Sequence, residues 1–182
     1  PKMPKIDLKD QDLQGLNFEY SNLSNSDFRR ANFNTAMISN VNFTRANLSY
    51  TDLSDKDLTG TILTGADLSY TKLTGVDLSG KDLTGTILTG ADLSGAILTR
   101  VDLSGKDLTG ARLTDVDFTR IDLTGTILTG ANLSHTNLTG VDLSGKDLTG
   151  TILTGADLSG KDLTGTILTG ADLSYTKLTG VD

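Results

Sequence analysis

The stretch SGKDLTGTILTG, residues 79–90, holds two copies of a five-residue pattern and returns at residues 144–155 and 159–170. Stepping by five from Leu8 to Leu178 visits 35 positions without an insertion or deletion, and each holds Leu, Phe or Ile. We call this the central position. A fixed period takes precedence over local secondary-structure signals, so one repeated unit is predicted to build the whole chain.

A period of five fits neither a long helix nor a flat strand, but it fits a short extended piece followed by a tight turn. The residue two before the centre is mostly Ala, Val or Thr, and we call it the corner position. Alternation points the central and corner residues to the same side. All 20 glycines lie two residues after the centre, where a type II turn requires a positive φ.

The predicted fold class is all-β. If each turn bends the chain by about a right angle, four repeats close a square coil of 20 residues, and coils stack about 4.8 Å apart through main-chain hydrogen bonds. The 182 residues then make about nine coils around a column of Leu and Phe side chains.

The segments ADLSG, ANLSH, VDLSG and ANFNT resemble the pentapeptide-repeat family, whose pattern is A-(D/N)-L-x-x. The resemblance extends from about Ile6 to Asp182 and implies a right-handed quadrilateral β-helix. It also implies a bacterial, cytoplasmic protein, with cyanobacteria rich in such proteins; the periplasm or the thylakoid lumen would follow if a leader were missing. Glycine after the centre, Ile in TILTG and Lys in KDLTG depart from the family pattern.

One domain is expected over residues 1–182, with varied repeats in residues 1–55 and near-identical repeats in residues 56–182. Recent duplication or design would leave such copies. The last repeats, TKLTGVD, show no cap, so we expect either end-to-end association or further residues beyond Asp182.

Composition argues against several functions. The formal charge of −7 disfavours direct binding to nucleic acid, and no apolar stretch is long enough to imply a membrane partner. His135 is the only histidine and there is no cysteine. The carboxylates form a periodic row on the outside of a convex rod, which gives no cleft to shift their pKa. We therefore predict a protein that is not an enzyme, with no cofactor and no metal site.

Departures from the repeat indicate the candidate binding residues. Residues 20 apart should lie side by side in columns, and Tyr and Arg are enriched at protein interfaces. Three columns stand out: Arg30 with Tyr50 and Tyr70, Arg100 with Arg120, and Asp115 with His135 beside Arg112. The first two columns supply the predicted binding residues, and the third is expected to make a surface contact.

These observations favour a solenoid scaffold for protein–protein interaction with an unidentified partner. The acidic rod shape also fits a DNA-mimicking modulator of DNA gyrase, although Asp or Asn before the centre can equally be structural. Ice binding is a further alternative, but the outward pair around each Leu is mostly Asp with Thr, which is half of a Thr-x-Thr array. A designed scaffold is the last alternative.

Five lysines stand at corner positions that point inward, namely Lys56, Lys81, Lys106, Lys146 and Lys161. An unpaired buried ammonium would cost several kcal/mol. The amines are therefore expected to reach water along the corner, with locally altered turns.

Overall fold

Main-chain pairing in the computed structural model, which describes residues 5–182, follows the predicted register. Every β-bridge is parallel and joins residues 20 apart, from Asp7 with Asp27 to Asp157 with Lys177. The bridges are single residues separated by turns, and residues 5–182 contain no helix and no longer strand. No helix in this part of the chain is long and apolar enough to cross a membrane. The prediction of 20-residue coils is confirmed.

The turns between repeats have the predicted geometry. The third turn residue has a positive φ in all 35 repeats, 20 of them glycine and 15 of them other residues, with values from 54° at Asp55 to 77° at Gly140. After 33 of the 35 turns the next main-chain nitrogen donates to the preceding central carbonyl, as from Ala66 to Leu63 at 2.9 Å; the exceptions are Val41 and Val181. A positive φ at the third residue is the mark of a type II turn.

Central side chains fill the interior of the coil. Phe28, Phe33 and Phe43 are fully buried, and their rings pack with centroids 5.5–6.3 Å apart. Leucines continue this column toward the C-terminus and are buried as far as Leu158. Beyond it, the central leucines from Leu163 are only half-buried, and Leu178 is 46% exposed because no coil covers residues 163–182 in the described structure.

The main-chain ladder between coils is interrupted at six corners within residues 5–182. At each, two neighbouring bridges are missing, and the corresponding main-chain hydrogen bonds are missing with them. The unbridged pairs are Asn32/Asp52, Met37/Asp57, Asp57/Asp77, Ile62/Asp82, Asp82/Asp102, Ile87/Asp107, Ile97/Asp117, Asp102/Asp122, Asp122/Asp142, Ile127/Asp147, Asn137/Asp157 and Asp142/Asp162.

The size of one side chain distinguishes the open corners from the closed ones. At each open corner the second of the two coils carries a corner residue larger than Val: the five lysines and Ile121. At each closed corner in the described structure, the second coil carries Ala, Ser, Thr or Val there. A close-packed corner has no room for extra methylenes, so the longer side chain separates the coils.

Four of the corner lysine amines have main-chain partners that the sequence did not predict. Lys81 Nζ donates to the carbonyl oxygens of Leu58 and Thr61, at 2.7 and 3.2 Å, in the preceding coil. Corresponding bonds join Lys56 to Ala36, Lys146 to Leu123 and Lys161 to Val141. All five lysines are half-buried. The amines of these four therefore bind main-chain carbonyls, because such acceptors lie within reach at the corner.

The turns before the lysines are also unaltered, contrary to expectation. Lys81 N donates to Leu78 O at 3.0 Å, and Gly80 keeps a φ of 63°. The other four lysines have the same turn hydrogen bond, at 3.0–3.2 Å. The strain is relieved between coils rather than within the turn, because the lysine side chain extends toward the preceding coil.

Candidate functional site

Tyr50 and Tyr70 form an aromatic stack on the surface. Each is the third residue of its turn, with φ of 61° and 56°, and the hydrogen bond from Tyr50 N to Ser69 O, 3.1 Å, holds their two coils together. Their rings are stacked with centroids 4.9 Å apart and an angle of 11°. The residues remain 57% and 52% exposed. The predicted column therefore brings two aromatic rings together in a form that water can reach.

The stack of Tyr50 and Tyr70 does not extend to the next turns of the same column on either side. A Cβ atom added at Gly90 would collide with the Tyr70 ring, so the ring lies over the next turn of the same column. Arg30, which the sequence placed in this column, pairs instead with Asp10 in the preceding coil, with Nε and Oδ1 2.6 Å apart. This hydrogen bond lowers the pKa of the Asp10 carboxyl. The aromatic patch, which we define as Tyr50 and Tyr70, is thus flanked by an ion pair and a glycine.

The other predicted binding residues are not brought together by any polar side-chain contact. Arg100 and Arg120 are exposed, and neither side chain makes a hydrogen bond or an ion pair within residues 5–182. The expected contact between Asp115 and His135 is absent from that range as well. The imidazole leans over Gly155, where an added Cβ would lie 2.6 Å from its Nδ1. A glycine in the following coil leaves space that the ring fills.

The Asp and Asn residues before each centre have a structural role. Each of the 25 in residues 7–172 accepts a hydrogen bond through its side chain from the main-chain nitrogen two residues later. This bond satisfies a donor that the turn leaves free. Donation from Thr124 lowers the pKa of Asp122, and donation from Ser144 lowers that of Asp142.

Five of these aspartates nonetheless form one uninterrupted column together with Asp182, which we call the acidic column: Asp82, Asp102, Asp122, Asp142, Asp162 and Asp182. On the opposite side of the coil, the column from Lys72 to Asp172 mixes acidic, basic and neutral residues. No group of three His, Cys, Asp or Glu residues within residues 5–182 is close enough to hold a metal ion. The acidic column is therefore a row of separate charges.

Two cavities lie at open corners. The larger, of about 790 Å³, is lined by residues 120–127, Thr129, Gly140, Asp142 and residues 144–147, around Lys146. The smaller, of about 290 Å³, lies beside Lys56. The sequence identified the corner lysines as unusual, but it did not predict that neighbouring coils would be unpaired at those corners. The signal was available, because Lys and Ile are the largest residues at corner positions from Ser21 onward.

Comparison with known proteins agrees with this geometry. The pentapeptide-repeat family model matches in eight copies, over residues 6–80 and 82–182. Among solved structures, HetL of the cyanobacterium Nostoc sp. strain PCC 7120 is 29% identical, with a TM-score of 0.53, over 97% of this chain and 86% of HetL. HetL is a pentapeptide repeat protein involved in the regulation of heterocyst differentiation. Such proteins form right-handed β-helices.

Two further solved structures are more distant. Trypsin-treated QnrB1, a plasmid-mediated fluoroquinolone resistance protein, is 21% identical with a TM-score of 0.49, over 98% of this chain and 91% of that chain. A pentapeptide repeat protein of the Arabidopsis thaliana thylakoid lumen is 28% identical with a TM-score of 0.21, over 73% and 72% of the two chains. These likenesses are too remote to carry a function across. No curated protein sequence is significantly similar to the chain.

Proposed function

Because the chain belongs to the pentapeptide-repeat family, we propose that it is a non-enzymatic solenoid scaffold that binds a protein partner through the aromatic patch. The proposed rod is a right-handed quadrilateral β-helix of about nine coils, located in the bacterial cytoplasm. The observation that carries the proposal is the exposed stack of Tyr50 on Tyr70.

Exposed aromatic rings favour protein recognition for a physical reason. Tyr presents a large apolar area with few rotatable bonds, so little conformational entropy is lost when a partner covers it. The Tyr50 and Tyr70 rings already restrict each other by stacking, which reduces that loss further. The nearby Arg30–Asp10 pair and the pair of Arg29 with Asp27, 2.6 Å apart, supply a polar rim.

The test is affinity capture with three forms of the chain. The native chain and Tyr175→Ser serve as the matched pair, because Tyr175 occupies the same turn position and is 90% exposed. The third form combines Tyr50→Ser with Tyr70→Ser. We expect a partner retained by the first two forms and lost by the third. Partners retained equally by all three would contradict the assignment of the aromatic patch.

A second candidate is a DNA-mimicking modulator of DNA gyrase, which the acidic column favours. Charge density argues against it as the first choice. A net charge of −7 spread over about nine coils of ~4.8 Å gives roughly one charge per 6 Å, against one per ~1.7 Å in duplex DNA. A gyrase supercoiling assay with and without the protein tests it: neither inhibition nor protection from a quinolone would remove this candidate.

We also propose that the 182-residue chain associates end to end through its last coil. Leu163, Leu168 and Leu173 are half-buried there and Leu178 is exposed, so apolar area is available to a second copy. Light scattering of the chain should give twice the monomer mass of 19.2 kDa. A monomer at micromolar concentration would contradict association through this coil.

A further inference from the structure

The open corners are not distributed evenly around the coil. Along the acidic column, all five junctions between successive coils from Ile62 to Asp162 lack their bridge. Along the opposite column, all five junctions from Lys72 to Asp172 are bridged. The other two columns alternate between open and closed junctions over the same coils. The rod is therefore paired along one side and unpaired along the other.

The positions of the large corner residues produce this asymmetry. The corners on the two edges of the acidic column are occupied in turn by Lys81, Lys106, Ile121, Lys146 and Lys161. Each open corner removes the bridge on both faces that meet there. Since the residues alternate between the two edges of one face, that face loses all five junctions from Ile62 to Asp162, whereas each adjoining face loses every second one. The last junction of the acidic column, Asp162 with Asp182, keeps both main-chain hydrogen bonds, because Val181 at its corner is small.

From this arrangement we propose that the solenoid is hinged along its acidic column. The large corner residues hold the coils apart on that side, while the opposite column acts as the fixed spine. The rod then bends by changing the coil spacing on the acidic side alone, without loss of the 20-residue register. The β-ladder elsewhere resists such bending, because each closed junction would have to lose main-chain hydrogen bonds.

The junction between residues 121–129 and 140–147 shows what the opening exposes. The main-chain nitrogens of Leu123, Gly125 and Leu128 donate no main-chain hydrogen bond there, although the register would place the carbonyl groups of Asp142, Ser144 and Asp147 opposite them. Lys146 Nζ donates to Leu123 O at 2.6 Å instead. A cavity of about 790 Å³ separates the coils at this place.

A competing cause has to be separated from side-chain size. In the second coil of every open corner, Asp residues flank the corner on both sides, as Asp142 and Asp147 flank Lys146. Like charges placed side by side destabilise a sheet. The Ile121 corner is open without a lysine, which excludes the ammonium as the cause, but Asp117 and Asp122 flank it as well, so only substitution separates the size of the corner residue from the charge of the aspartates. Asp7 and Asp27 are bridged as neighbours, but there Arg29 compensates the charge.

Amide hydrogen exchange of the full chain, read by NMR at single residues, tests the proposal. In Lys146→Ala, the Leu123 and Leu128 amides should become protected at least tenfold, toward the protection of Leu113 and Leu133, whose amides donate to Asn132 and Ile152. In Lys146→Met, which keeps the length without the amine, they should remain unprotected. Protected amides at Leu113 and Leu133 report in both variants that the coil is folded.

Three further variants complete the design. Ile121→Val should protect the Leu103 amide, which donates no main-chain hydrogen bond at its open corner. Ala131→Lys should expose Leu108 and Leu113, whose amides now donate at 2.9 and 2.8 Å. Asp142→Asn combined with Asp147→Asn should leave Leu123 unprotected. Fast exchange of Leu123 in Lys146→Ala, or protection of Leu123 in the double asparagine variant, would overturn the proposal.

Discussion

The Lys146 ammonium donates to the main-chain oxygen of Leu123, 23 residues earlier and one coil away, at 2.6 Å. At other corners a Thr side chain donates to the equivalent oxygen, as Thr126 does to Leu103 at 2.9 Å. The Thr side chain is shorter than that of Lys, so it places fewer atoms between the two coils. The carbonyl at this place thus accepts a second hydrogen bond from either side chain. The lysine keeps that bond but prevents the ladder from closing.

Removing such a lysine should not cost stability. In Lys81→Ala the junction can close, and each main-chain hydrogen bond regained contributes about 1 kcal/mol net. We expect the free energy of unfolding in urea to be unchanged or higher by about 1 kcal/mol, whereas Lys81→Met should not gain. A loss above about 2 kcal/mol would show that the amine contacts with Leu58 and Thr61 stabilise more than the open junction costs.

Lys81 also predicts the direction of a pH effect. Burial lowers the pKa of its ammonium below 10.5, so the folded state disfavours the charged form. The resulting penalty is present below the lowered pKa and is relieved as the pH rises toward 10.5. As the pH rises through the alkaline range, the free energy of unfolding of the native chain should therefore increase relative to that of Lys81→Met. If the stability of the native chain instead decreased relative to Lys81→Met, the burial of this amine would be contradicted.

Turn residues other than glycine carry backbone strain. Arg120 has a φ of 65° and no polar side-chain partner within the described chain, so Arg120→Gly should raise the free energy of unfolding by about 1 kcal/mol. Gly110→Ala is the reverse change at a φ of 65° with open space around it, and it should cost about 1 kcal/mol. Urea unfolding measures both. If the native chain, Arg120→Gly and Gly110→Ala were equally stable, a positive φ at a residue other than glycine would not be destabilising here.

The aromatic patch should contribute little to folding. Tyr70→Ser removes the stack with Tyr50, and such pairs contribute about 0.5–1.5 kcal/mol, at the low end where water reaches both rings. We expect a loss of about 0.5 kcal/mol in thermal unfolding, and none in Tyr175→Ser. A loss above about 2 kcal/mol would make the stack a structural element and remove the reason to assign it to a partner.

Asp157 predicts behaviour in acid. Hydrogen bonds from Ser159 and its main chain, and then from Lys177, lower the pKa of this carboxyl from 3.8 to about 2. Its contribution to stability is present above pH 3.8 and is lost as the pH falls toward 2. Asp157→Asn keeps an acceptor for Ser159 N, as Asn132 does for Ser134.

Comparing the two proteins between pH 4 and pH 2 isolates that carboxylate, since the other aspartates titrate in both. The native chain should lose stability more steeply than Asp157→Asn over this interval. Parallel curves would contradict the lowered pKa of Asp157 and show that its hydrogen bonds with Ser159 and Lys177 do not favour the carboxylate in solution.

The strict period made most of the fold predictable. One side-chain position in five is always large and apolar, and glycine follows it at a fixed distance, which determines the turn, the inward face and the 20-residue register. The lysine contacts were not predictable in this way. They depend on how far a four-carbon chain reaches from the corner toward carbonyl groups of the preceding coil, which is a three-dimensional distance.

The candidate site was predictable only in part. The column rule placed Tyr50 beside Tyr70, and the rings do stack. It did not predict that Arg30 would form an ion pair with Asp10, because the partner of an exposed side chain depends on the charges around it and on the rotamer it adopts. The same holds for His135, which lies over Gly155 rather than beside Asp115.

The register and its interruptions can be tested together with engineered disulfides, since the chain has no cysteine of its own. A disulfide needs Cα atoms about 4.4–6.8 Å apart, which a closed junction provides. The measurement is the rate of oxidation of cysteine pairs placed at Asn132 and Ile152, which are bridged, and at Asp122 and Asp142, which are not. We predict rapid crosslinking of the first pair and slow crosslinking of the second. Equal rates, or faster crosslinking between positions 132 and 147, would contradict the 20-residue coil with open corners.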